Sequence, residues 1–324
     1  MTATCPATAT ETWLERTVRM KFALGGLMLF PVYFRARVYT GAPWDLPSDP
    51  DQRPPAPGRS DPRIHAELVN SHPVEHRIPR ISLRPGCIRY SASQYRRFYI
   101  PIEGTFEEYF EHFSAARRSK LRRWVRKWER HCGGHIEWRE YRRPEEMAEF
   151  HRLAREISAH TYQEKLCDAG MPNNEGFVDR LQDMAREDGV RGYILFEGRK
   201  PVAFQYCTIW QDTLAGERQG YDPSYRPFAP GHVLFLLVVQ HLFEKKDFRS
   251  FDLGRGEFEY KETFATAFLR CADIYYFDRT ARNAALVLCH TAVDTMWSAA
   301  AAVLDALKLR KSLRRMVRLH YGSR

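Results

Sequence analysis

The 324-residue chain contains no Ser-His-Asp arrangement, no CxxC pair, no HExxH and no GxxxxGK[ST]. Those absences count against hydrolase, zinc-enzyme and P-loop readings. Its seven cysteines (5, 87, 132, 167, 207, 271 and 289) show no paired spacing. An odd, unpatterned set points to reduced thiols in the cytoplasm, each most simply a small buried hydrophobe. No internal repeat is present. Long unbroken apolar runs are also scarce. The stretch Phe22–Phe34 is interrupted by Gly25, Gly26 and Pro31, so it reads neither as a secretory signal nor as a bilayer span. Ala284–Leu304 reaches spanning length, but it is Ala-rich and holds His290 and Asp294. It reads as a soluble or surface-docked helix.

What is present is a core-forming composition, 44% hydrophobic, with a net charge of +10. The charge speaks of partners rather than fold. Acyl-CoA, nucleic acid and anionic lipid are all polyanions, so charge alone does not choose among them.

Residues 1–97 read as an N-terminal extension, with a Pro-rich, aperiodic linker over 42–62. Folding resumes with a strand at Phe98–Ile102. From Thr105, an N-cap followed by Glu107 and Glu108, the pattern predicts one long helix or two abutting ones up to His131. Leu121, Trp124, Val125 and Trp128 form its apolar stripe, with arginines and lysines on the other faces. Gly133-Gly134 ends it. A strand over 135–141 and a helix opened by Pro144 follow, then a second helix after Asn173-Asn174. Residues 192–197 and 201–209 read as a hairpin turning at Gly198–Lys200, and 213–219 as a third strand. Residues 232–246 are apolar on nearly every face and predict a buried helix. Residues 250–254 and 272–277 close the series of strands. Residues 281–324 read as a helical, basic tail. In it Arg310, Lys311, Arg314, Arg315 and Arg318 face Leu309, Leu313, Met316 and Val317, an interfacial pattern.

The densest signal is Gly220-Tyr221-Asp222-Pro223, then Pro230-Gly231, leading straight into that buried helix. A turn-rich loop feeding a helix start is a ready anion site, because the first N–H groups lack helical partners and the dipole is positive there. Further on come Phe251-Asp252-Leu253-Gly254 and Tyr260-Lys261. In this order the motifs resemble the GNAT superfamily of acyl-CoA acyltransferases, and more closely its CelD and BioF2-like acetyltransferase branch. The resemblance covers roughly residues 98–280. It implies an α/β fold, a mixed and mostly antiparallel central sheet flanked by helices, with an irregular N-terminal extension and a C-terminal helical tail. It implies direct transfer of an acyl group from acyl-CoA, a co-substrate rather than a resident cofactor, to a small-molecule or saccharide amine in one ternary complex. No metal is expected. One departure stands out: Pro230-Gly231 is the only glycine-bearing core of a loop that usually holds several.

On this resemblance Arg226, Pro230, Gly231, His232 and Val233 would hold the pyrophosphate. Acyl transfer to an amine needs a base for the ammonium proton and a donor for the leaving thiolate. Glu217, at the end of the third strand, is the candidate base; the plainer reading is an exposed strand glutamate. Asp252 lies in an apolar strand, where a carboxylate must be paired or serve a site; it can equally cap the turn that follows. Tyr260 would protonate the thiolate, or simply fill core. Lys261 would bind the acceptor or the acyl oxygen. His160, Tyr162, Gln163 and Glu164 match the acceptor-loop segment, although a lone histidine is more often just a satisfied polar group. Two rival functions are an aminoacyl or acyl-carrier transferase of the Fem-like branch, and a non-enzymatic nucleic-acid or membrane-surface module. Tryptophans among arginines in 117–130 carry the nucleic-acid reading. We favour the packed alternative, with nucleic acid disfavoured; the tail reads first as a solvated basic face, with peripheral membrane contact as its alternative.

Overall fold

Near-continuous apolar runs such as Pro201–Ile209 give strands buried on both faces, and the computed structural model shows helices covering both. It describes residues 13–24, 27–41, 43–56, 58, 61–160, 170–255 and 259–306. The chain divides into two compact units, residues 95–269 and the two flanking stretches together. The fold is mixed α/β, with mostly antiparallel sheet flanked by helices.

In the central unit the strand order is β5 (Cys87–Pro101, its second half), β10 (Ser250–Arg255), β9 (Thr213–Tyr221), β8 (Lys200–Trp210), β7 (Val190–Glu197) and β6 (Glu137–Tyr141). All neighbours are antiparallel except β9 and β10. Parallel neighbours need a crossover, and the buried helix α5 (Pro230–Lys245) supplies it. One sheet face packs on α5 and on α2 (Ala115–His131), through Tyr193, Leu195, Ala203, Cys207, Leu214 and Phe251. The other packs on α3 (Met147–His160) and α4 (Phe177–Arg186), through Ile194, Phe204 and Tyr206. Gly192 is required there: a Cβ would sit 2.5 Å from the Phe150 ring.

Of the two readings for Thr105–His131, one long helix or two abutting ones, the structure has two. Thr105 caps α1 (Phe106–Glu111) in a capping box with Glu108, and Ser114 caps α2. The apolar stripe of α2 packs as expected, with Leu121 and Trp128 fully buried.

The flanking unit holds more regular structure than its Pro-rich composition led us to expect. β1 (Trp13–Leu24) and β2 (Leu27–Tyr39) pair as an antiparallel hairpin, β2 runs parallel to β3 (Ala66–Pro73), and β3 pairs with β11 (Ala267–Asp278). β4 (Ile81–Arg84) pairs with the first half of β5. The helix α7 (Ala281–Ala306) lies against Phe22 and Tyr90 through His290, whose Nδ1 is 2.6 Å from the Tyr90 hydroxyl. Among the described residues no helix is long and apolar enough to cross a membrane. The basic segment 310–318 lies outside the described residues.

Candidate active site

The parallel pair β9–β10 is short. Ser250, Phe251 and Asp252 pair with Thr213, Leu214 and Ala215. Beyond that the strands part: β9 continues along β8 to Tyr221, while Arg255 of β10 pairs with Arg97 of β5. A cleft of about 480 Å³ opens at the fork, lined by Gln205, Gln219, Tyr221, Arg226, Gly231, His232, Phe235 and Tyr260. A recess of about 40 Å³ adjoins it, where Glu217 and Leu253 meet Gln205, Gln219, Phe235 and Tyr260. Both lie wholly in the central unit.

The motif loop builds one wall. Asp222 caps a 3₁₀ turn over Pro223–Phe228: its Oδ1 accepts from the Ser224 N–H at 3.0 Å and from the Ser224 hydroxyl at 2.7 Å. Its Oδ2 lies 3.0 Å from Lys200 Nζ. Hydrogen bonds from Ser224 and the charge of Lys200 outweigh its burial, so its carboxyl titrates below the usual range. The acid of the G-Y-D-P motif therefore shapes the loop. α2 clamps the same loop from outside. His131 stacks on Phe228 with centroids 4.0 Å apart, and Lys127 Nζ donates to the Pro227 carbonyl at 2.7 Å. Trp124 lies over His232 at 4.4 Å.

At the start of α5, Pro230 has no N–H, and the N–H groups of His232 and Val233 both donate to the Ala229 carbonyl. Val233 is fully buried. Of the expected pyrophosphate set, the structure thus brings Arg226, Gly231 and His232 to the cleft. Pro230 and Val233 shape the turn instead. The Gly231 N–H is the first-turn donor outside that ladder, and a Cβ on Gly231 would lie 3.3 Å from Tyr221 Cδ1.

Glu217 stands on a β-bulge. Tyr206 pairs with Arg218 and Cys207 with Gly216, which leaves Glu217 as the extra residue. Bulges re-aim side chains beside active sites, and this one turns an exposed glutamate to the rim of the recess. Its Oε1 accepts from Thr208 Oγ1 at 3.1 Å.

Tyr260 opens α6 (Glu259–Phe264) together with Glu259, and it lines both cleft and recess. Burial, with the nearby Asp252 charge second, pushes its hydroxyl well above the usual range, so at neutral pH it carries a proton. Asp252 and Lys261 stand behind the cleft. Asp252 is 1% exposed. Its Oδ1 accepts from the Gly254 N–H at 2.8 Å, and its Oδ2 takes two donors from the Arg97 guanidinium, one of them Nε at 3.0 Å. Both oxygens are committed, which is the capping arrangement. Lys261 Nζ donates to the Arg255 carbonyl at 2.6 Å. Burial lowers Lys261 to about 8, against the pull of Asp252 and with help from Arg97 and Arg255.

Between about pH 8 and 10.5 the unfolded chain holds a proton at position 261 that the folded protein has released. Stability contributed by this site therefore rises with pH across that window and is flat below it. Urea unfolding of wild type and Lys261→Met should give a difference that moves in favour of wild type from pH 8 to 10. A constant difference rejects a buried ammonium.

His160 is the last residue of α3. Tyr162, Gln163 and Glu164 lie outside the described residues. Two groups, one lining the cleft and one behind it, escaped sequence reading. Gln205 is 4% exposed and faces Gln219 in register across β8 and β9; the signal was an amide inside the apolar run Pro201–Ile209. Arg97, the partner of Asp252, gave none. Among the described residues no group of three or more His, Cys, Asp or Glu side chains could hold a metal ion.

Residues 115–262 match the family model described as Acetyltransferase (GNAT) domain. They include the whole loop and every group at the fork except Arg97. No curated protein matches the chain. Among solved structures, the chain is similar to the C-terminal domain of a putative lysylphosphatidylglycerol synthetase from Agrobacterium fabrum, at 11% identity and TM-score 0.46, covering 70% of this chain and 72% of that one. L-PGS from Bacillus licheniformis gives 13% identity, the same coverages and TM-score 0.46. A structure of FemX gives 9% identity and TM-score 0.46, covering 83% and 89%.

Proposed function

We propose that the GNAT acetyltransferase domain over residues 115–262 transfers an acyl group from an acyl-CoA-type thioester to an amine, in one ternary complex. The observation that carries this reading is the cleft at the β9–β10 fork, which Gly231, Arg226 and a protonated Tyr260 line together. In this proposal the pyrophosphate rests at Gly231, favoured by the helix dipole and by Arg226. Glu217 takes the ammonium proton, the amine attacks the thioester carbon, and the C–S bond breaks. Tyr260 gives its proton to the departing thiolate. Asp252, held by Arg97, braces the Gly254 backbone, and Lys261 ties α6 to the Arg255 carbonyl.

Within the superfamily, the motifs at 220–231, 251–254 and 260–261 support the CelD and BioF2-like branch. We assign the acceptor to small-molecule or saccharide amines. The cysteine pattern supports a cytoplasmic setting. A ligand of the native state raises the unfolding midpoint by mass action. With CoA, acetyl-CoA, longer acyl-CoAs and a short RNA at about a hundred times Kd, stabilisation of roughly 2.7 kcal/mol is expected for the true ligand. The expected result is a rise with the CoA compounds and none with RNA. No rise with any CoA compound rejects the reading.

A further inference from the structure

A second groove of the central unit lies apart from the cleft. It lies between α1, α2 and α5 and measures about 630 Å³. Its floor is apolar, made by Phe106, Phe110, Val125, Leu236 and Leu237. One rim is a row of Arg118, Arg122 and Arg126, spaced four residues apart on one face of α2. Glu107, Glu111 and Gln240 edge the groove elsewhere. Arg118 is held at the end of α1, its Nη1 donating to the Phe113 carbonyl at 2.8 Å. Arg122 lies 5.1 Å over the Phe110 ring. Among the described residues neither Arg122 nor Arg126 has a carboxylate within ion-pair distance. α2 as a whole carries eight Lys and Arg against the single Glu129.

A solvated basic face needs no apolar floor beside it. A nucleic-acid platform needs aromatic faces open to stacking, whereas Phe110 is buried beneath Arg122. An apolar trough with one cationic rim fits an amphipathic helix whose polar edge is acidic, two turns of which span the roughly 12 Å from Arg118 to Arg126. The groove also shares α5 with the cleft. Leu236 lies five residues from Gly231, about 7.5 Å along the axis.

We propose that this groove docks the acidic helix of an acyl-carrier protein, so that a phosphopantetheine thioester on the carrier reaches the cleft at the fork. The inference rests on the acyl-transfer reading above and names its donor. The acceptor amine forms the amide C–N bond, the thioester C–S bond breaks, and the proton the nitrogen sheds balances the one Tyr260 gives to the carrier's departing thiolate.

The test uses the full chain with Arg122→Glu and Arg126→Glu together. Both side chains are exposed and without ion pairs, so the fold should persist, which circular dichroism checks. Transfer is measured from an acetylated acyl-carrier protein and from acetyl-CoA, and binding from the anisotropy of labelled carrier. Charge reversal should lower kcat/KM for the carrier by about thirtyfold or more and leave acetyl-CoA within about twofold. A carrier with its helix acids changed to lysine should recover part of the loss. Equal loss with both donors overturns the proposal, as does an unchanged carrier reaction. Tighter binding of a labelled single-stranded RNA than of the carrier, lost in the variant, also overturns it. If carrier binding depends on the arginines but neither donor yields product, the docking stands and the acyl-transfer reading fails. If acetyl-CoA reacts but the carrier does not bind, the reverse holds.

Discussion

Gly231→Val should weaken acyl-CoA binding by a hundredfold or more, roughly 2.8 kcal/mol at 1.4 kcal/mol per decade, in a protein that still folds. The reason is local. A Cβ at this position already lies 3.3 Å from Tyr221 Cδ1, so a valine must push Tyr221 aside or send its methyl groups into the cleft. Either outcome separates the phosphate from the Gly231 N–H. The backbone does not forbid the change, because Gly231 lies in regular helix, where valine costs well under about 1 kcal/mol against alanine. Gly231→Ala should lie between the two. Calorimetry showing unchanged CoA affinity in folded Gly231→Val rejects this placement of the pyrophosphate.

Glu217→Gln should lower turnover by roughly 10²–10⁴-fold, the range of a general base, with acyl-CoA binding near normal. The amide keeps the size of the side chain and its bond from Thr208, and removes only the ability to take a proton. The competing substitution, Asp252→Asn, should behave differently. It weakens the pairing of the buried position 252 with the partly buried Arg97, and breaking a buried pair costs about 3 kcal/mol or more, so its main effect should be on stability. Unfolding curves and single-turnover rates separate the two. If Asp252→Asn stays as stable as wild type and loses turnover while Glu217→Gln keeps it, Glu217 is a bystander.

These two residues also show how far the sequence could be read. Helix α5 was legible because an all-round apolar stretch can only be buried, and Thr105 because a cap needs just its own first turn. The loop at 220–231 announced itself through turn chemistry, but not the division of labour within it, where Asp222 holds the turn and Gly231 faces the cleft. The bulge that turns Glu217 was hidden, since one extra residue shows only against a partner strand. Arg97 was hidden for the same reason at longer range, 155 positions from Asp252. Gln205 lay between these cases: an amide in an apolar run marks a special position without saying what it serves. The strands before residue 85 went unseen because their alternation is interrupted by prolines and their partners are as distant as β11.

The separation of Arg97 from Asp252 bears on when the cleft can exist. Hairpin contacts among β7, β8 and β9 close over a few residues and can form early, while β5 must wait for β10. Loop closure over some 150 residues is slow, and pairings of high sequence separation dominate folding times. During synthesis the fork has no second arm until β10 has been made, and β10 then needs β5 beside it. The candidate cleft is therefore expected to assemble after the β7–β9 hairpins, since its two arms meet only when β10 finds β5.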